Sequence, residues 1–121
     1  PDLPGLAELA LTSETVFDLT ELPRRVVVVG GGPMGCELAQ ALARLGAAVV
    51  VLQRGDRLLP RDDPEAWAAL AAAFRSEGID VRCGVSPLRV ARAEGALRVE
   101  PSAGAPLAAD AVLVATGRKP N

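Results

Sequence analysis

The stretch Val26-Val27-Val28-Val29-Gly30-Gly31-Gly32-Pro33-Met34-Gly35 decides the fold. Four β-branched residues in a row leave no polar face, which suits a strand buried on both sides in a parallel sheet. Of the glycines that follow, Gly30, Gly32 and Gly35 stand at the spacing G-x-G-x-x-G. Met34, Leu38, Ala41, Leu42 and Leu45 then recur at helical spacing, and Gly46 stands where a helix C-cap belongs. Ala48-Val49-Val50-Val51-Leu52 is a second all-apolar strand. Strand, glycine turn, helix and strand make a βαβ unit, whose crossover is right-handed in nearly every known case.

Further along, Asp62-Asp63-Pro64-Glu65 supplies an N-cap, a first-turn proline and early acidic charge for a second helix. Ala66, Leu70, Ala73 and Phe74 form its expected apolar face, and Gly78 ends it. Ile79-Asp80-Val81 begins a short third strand. Residues 85–93 and 96–100 alternate in polarity around Glu94-Gly95, as in an antiparallel hairpin. Ser102-Ala103-Gly104 is a second turn, and residues 110–115 form a last buried strand. The expected fold class is α/β: a Rossmann-like, doubly wound parallel sheet with a small antiparallel three-stranded meander. Residues 1–24, punctuated by Pro1, Pro4, Gly5 and Pro23, read as a lead-in segment, and residues 25–121 as the domain proper.

Composition narrows the function classes. The chain has 121 residues, half of them apolar, enough for one core. A net charge of −2 gives no basic field for nucleic acid. No apolar run reaches the roughly 20 residues of a membrane span, and Pro1-Asp2-Leu3-Pro4-Gly5 is no signal-peptide start; the cytoplasm is the expected compartment. Histidine and tyrosine are absent, and Cys36 and Cys83 have no metal-ligand spacing, so no metal site is expected. Any chemistry then belongs to a cofactor or to another domain.

In the glycine pattern, one glycine makes the tight turn, one admits the pyrophosphate of a dinucleotide and one lets helix pack on strand. The N–H groups at the helix start face the phosphates. Gly30, Gly31, Gly32, Pro33, Met34 and Gly35 are therefore the candidate cofactor loop. NAD-binding domains place an acidic residue at the end of the second strand for the ribose hydroxyls. Here Gln53 stands there, followed by Arg54, with Arg57 and Arg61 nearby. Guanidinium groups suit a 2′-phosphate, so NADP is expected over NAD, read by Arg54 and secondarily Arg61. The competing reading is a solvated arginine cluster paired with Asp56, Asp62 and Asp63.

Val26–Gly35, Glu37-Leu38-Ala39 and the closing Val114-Ala115-Thr116-Gly117-Arg118-Lys119-Pro120-Asn121 resemble the central nicotinamide-binding domain of the FAD-dependent pyridine nucleotide-disulfide oxidoreductases. Pro4-Gly5-Leu6 and residues 12–23 resemble that family's crossover from the flavin domain. Glu37-Leu38-Ala39-Gln40, Ala43-Arg44-Leu45-Gly46 and residues 72–79 are most similar to mercuric reductases within it, beside dihydrolipoamide dehydrogenases. The resemblance implies a hydride passed from NADPH to FAD, for reduction of a disulfide or of a metal substrate such as mercuric ion. It places Glu37 near the flavin and nicotinamide rings, and Thr116-Gly117 as bare backbone near the cofactor. Glu37 also reads as an acid favoured by the helix dipole, and Thr116-Gly117 as an ordinary strand-ending turn. The family's flavin-binding glycine motif, redox cysteine pair and dimerisation domain have no counterpart here. The chain thus resembles an excised middle domain of a longer, homodimeric flavoprotein, expected to bind the nicotinamide cofactor but not to turn over alone.

Two other readings stay open. One is a domain holding the ADP half of FAD, although such domains also want an acid where Gln53 stands. The other is a non-catalytic nucleotide-sensing module. A short-chain dehydrogenase is excluded, because its general acid is a tyrosine.

Overall fold

The computed structural model describes residues 11–12, 22–30, 32–55 and 64–115. In chain order the elements are β1 (Leu11–Thr12), β2 (Arg25–Val29), α1 (Pro33–Arg44), β3 (Ala48–Gln53), α2 (Pro64–Ser76), β4 (Asp80–Cys83), β5 (Pro87–Ala93), β6 (Ala96–Pro101), β7 (Leu107–Ala109) and β8 (Ala111–Val114). Five strands form a parallel sheet in the order β1-β8-β2-β3-β4, and β5-β6-β7 form a separate antiparallel sheet. The expected α/β architecture with its three-stranded meander is the one observed.

The valine run explains the layering. Side chains alternate along a strand, so Val26 and Val28 enter one core with Val49, Val51, Leu113 and the inner faces of α1 and α2. Val27 and Val29 enter a second core with Leu52, Val112, and Val90, Leu97, Val99 and Ala109 of the meander. Helices cover one face of the sheet and the meander covers the other. The meander turns at Glu94-Gly95, both at positive φ (51° and 82°), the backbone a two-residue I′ hairpin needs.

The helices end as the sequence suggests but face inward differently. Gly46 N–H bonds the Ala43 carbonyl (3.0 Å) and Ala47 N–H the Leu42 carbonyl (3.0 Å), the paired bonds of a Schellman motif. Gly78 and Ile79 close α2 in the same way on Arg75 (3.1 Å) and Phe74 (2.9 Å). The buried face of α1 is Gly35, Cys36, Ala39 and Leu42, whereas the expected Met34 and Leu45 are exposed and Ala41 lies on the solvent side. Small residues win that face because they let the helix axis approach the sheet. In α2 Phe74 is fully buried, but Ala66 is exposed and Trp67 packs against the core in its place.

Leu11–Thr12, inside the lead-in, forms an additional strand parallel to β8, with Leu11 opposite Leu113. Two ion-paired ties join neighbouring elements. Asp110 accepts from the Arg25 backbone N–H (2.9 Å), Nε (3.2 Å) and Nη2 (3.1 Å), joining the starts of β2 and β8. Glu77 accepts from Arg44 (2.7 Å) and Gln40 (3.0 Å), joining the two helices. The Arg25 guanidinium holds the Asp110 carboxyl below its usual value. Among the described residues no helix is long and apolar enough to cross a membrane.

Phe74 is the largest fully buried side chain. Its truncation, Phe74→Ala, is expected to cost about 3–5 kcal/mol, read as a lower midpoint in urea unfolding with the slope retained.

Candidate functional site

From β2 the chain winds one way to β3 and β4, then returns to β8 on the other side of β2. The winding therefore reverses between β2 and β8, a switch point at whose carboxyl ends open α/β sheets bind ligands. The glycine loop leaves β2 at this point.

Each glycine of the pattern has a distinct structural standing. Gly30 has φ +116°, a left-handed backbone that disfavours any side chain, and its N–H bonds the Leu52 carbonyl of β3 (2.9 Å). A Cβ on Gly35 would run into the Gly30 carbonyl oxygen, lie 3.1 Å from the Gly30 carbonyl carbon and 3.4 Å from the Ala115 Cβ. Gly32 differs from both. It is the N-cap of α1 at φ −76°, ψ −176°, open to any residue, and a Cβ there meets nothing within 4 Å. The fold requires glycine at 30 and 35 but not at 32. What Gly32 keeps open is the space in front of the helix.

That space is polar and electropositive. Pro33 occupies the first helical position, where a missing N–H costs nothing. The N–H groups of Met34 and Gly35 lie in the first turn, where no intrahelical acceptor exists. No side chain caps the helix and its first turn holds no acidic residue, so the positive end of the dipole is unneutralised. A phosphate group fits this position. Met34 is half exposed beside it.

The other sequence-derived positions that are described lie at the end of β3, on α1 and at the end of β8. Gln53, half-buried, ends β3 opposite Cys83 of β4. Since Gly30 bonds Leu52, the loop meets β3 one residue before Gln53. Arg54 follows in an exposed bend. Glu37 is exposed on α1. Ala115 bonds the Val29 carbonyl through its N–H (2.9 Å) and sits against Gly35, so the chain leaves β8 beside the helix start. Gly31, Arg57, Arg61, Thr116 and Gly117 lie outside the described residues, as do Asp56, Asp62 and Asp63. Ala115, read in the sequence as the end of the last buried strand, gives no local sign there of its contact with the helix start.

Cys36 enters the helix-side core, and neither cysteine is in a disulfide. Burial, with smaller effects of Cys83 and Glu37, pushes the Cys36 thiol up to about 11. It is a packing residue rather than a nucleophile, since the thiolate is the reactive form.

Two outcomes check this geometry. Gly35→Ala is expected to destabilise the chain by about 1–3 kcal/mol through overpacking, while Gly32→Ala stays within about 0.5 kcal/mol of the parent; equal effects in thermal unfolding contradict the assignment. Because the folded thiol of Cys36 is raised, it stays protonated at neutral pH. Iodoacetamide should label it only near pH 11 or after unfolding, which mass spectrometry of the native chain would show.

Comparison with known proteins identifies the family. The family model for pyridine nucleotide-disulphide oxidoreductases matches residues 1–121. The chain is 43% identical over 115 residues to a glutathione reductase of Burkholderia cepacia, covering 95% of this chain and 26% of that protein. It is 43% identical over 122 residues to a mercuric reductase of Acidithiobacillus ferrooxidans, covering 100% of this chain and 22% of that protein. It thus spans about a quarter of the length of these relatives. The HOCl-induced flavoprotein disulfide reductase RclA from Escherichia coli superposes with a TM-score of 0.92 at 32% identity, over 100% of this chain and 28% of that one. The chain belongs to the pyridine nucleotide-disulphide oxidoreductase family.

Proposed function

We propose that this chain is the nicotinamide-nucleotide-binding domain of a flavoprotein oxidoreductase and that it prefers NADPH to NADH. The observation that carries the reading is the open space at Gly32, a glycine the fold itself does not need, facing an uncapped helix start with no acid in its first turn. Main-chain groups of the loop Gly30, Gly31, Gly32, Pro33, Met34 and Gly35 would hold the pyrophosphate. Gln53 removes the carboxylate that would repel a 2′-phosphate, and Arg54, seconded by Arg61, would grip it. Thr116 and Gly117 would border the cofactor, and Glu37 would stand near the redox rings.

The chemistry such a cofactor supplies when bound is hydride transfer to the flavin of the parent enzyme, for reduction of a disulfide or of a metal ion such as mercuric ion. The relatives named mercuric and glutathione reductase support that range of acceptors. This domain's share is binding and orientation. The flavin and dimerisation domains of a cytoplasmic homodimer are its proposed partners.

Calorimetric titration tests the reading. NADPH should bind at least tenfold tighter than NADH, about 1.4 kcal/mol, and Arg54→Ala should erase that margin. Gly32→Ala should weaken both nucleotides without unfolding the chain. Equal or tighter NADH binding by the parent chain would overturn the NADPH assignment.

A further inference from the structure

β4 ends at Cys83, and the chain then turns through Gly84 at φ +73°. The Gly84 N–H donates to the Gly55 carbonyl (2.7 Å) and the Val85 N–H to the Gln53 carbonyl (3.1 Å). These bonds carry the contact between β3 and β4 past the ends of both strands, beyond the Gln53–Cys83 pair. Their two acceptors are the residues on either side of Arg54. The backbone that presents Arg54 is therefore gripped fore and aft by a turn belonging to another strand.

The turn is itself anchored. Val85 packs against the meander-side core. The next residue, Ser86, donates its N–H to the Ser102 hydroxyl (2.9 Å), while the Ser102 N–H donates to the Ser86 carbonyl (2.7 Å). Only the backbone conformation calls for glycine at 84, because a Cβ there meets nothing within 4 Å. A β-branched residue at this φ is a strong outlier, whereas asparagine tolerates it.

We propose that the Gly84 turn is a specificity-positioning device: it fixes the bend at residues 53–55 so that Arg54 meets the 2′-phosphate of NADPH. Gly84 touches no cofactor and acts through Arg54, so this inference rests on the reading of Arg54 given above. A guanidinium on a flexible bend loses the orientation that makes a charge-assisted pair strong.

The test is the ratio of NADH to NADPH dissociation constants, measured on this chain for the parent, Gly84→Val, Gly84→Ala, Gly84→Asn and Arg54→Ala. Gly84→Val and Gly84→Ala should weaken NADPH by about fivefold or more while NADH stays within about twofold, and Gly84→Asn should restore the parent ratio. A merely structural role would weaken both nucleotides alike and leave the ratio unchanged, which overturns the proposal. Should Gly84→Val fail to fold, Gly84→Ala and its rescue by Gly84→Asn carry the same comparison. Loss of the margin in Arg54→Ala but not in the Gly84 variants overturns the positioning role alone. A margin that survives Arg54→Ala overturns the Arg54 reading, and the positioning role with it.

Discussion

The closeness of α1 to β2 governs the rest of the structure. Gly35 lies so near the Gly30 carbonyl that no side chain fits between them, and this sets the height of the helix above the sheet. Cys36 and Ala39 continue the same low face, so the helix start comes down onto the strand ends instead of standing away from them. That approach sets the start of α1 beside the ends of β2 and β8. With a bulkier first turn, the amide groups of Met34 and Gly35 would be lifted off the carboxyl edge of β2, and the Ala115 end of β8 would lose its neighbour.

The two faces of the parallel sheet are covered in different ways. Helices on one side bury Val26 and Val28; the antiparallel meander on the other buries Val27 and Val29. Within the meander, cross-strand pairs such as Val90–Val99 and Val99–Leu107 set each strand against the next. The Ser86–Ser102 bonds tie the start of the meander to its second turn.

Much of this was legible in the sequence. A strand buried on both faces has no polar alternation, so four valines announced β2, and the glycine spacing announced the turn into α1. The Glu94-Gly95 hairpin and the glycine ends of both helices carry local chemistry and were equally plain. Burial around the helices was harder to see. Hydrophobicity favoured Met34 and Leu45 for the inner face of α1, but close approach to a sheet rewards small size, and Cys36 and Ala39 took the place. Leu11–Thr12 is too short for any period to show, and its pairing with β8 depends on residues a hundred positions away. At the candidate site, Gly32 and Gly35 fit one pattern in the sequence, and only packing separates the glycine the fold requires from the one it does not. The brace on Arg54 was invisible for a related reason, since backbone bonds between distant turns leave no mark on residue type.

The Arg25–Asp110 tie spans 85 positions, and β2 receives β8 as its second neighbour only across that distance. A chain emerging from the ribosome therefore displays the whole glycine fingerprint, together with α1 and β3, well before β8 can take its place beside β2. One side of that junction, β8, is the last of the described strands. Loop closure over such separations is the slow part of building parallel sheets, so the meeting of β2 with β8 should be a late event in folding.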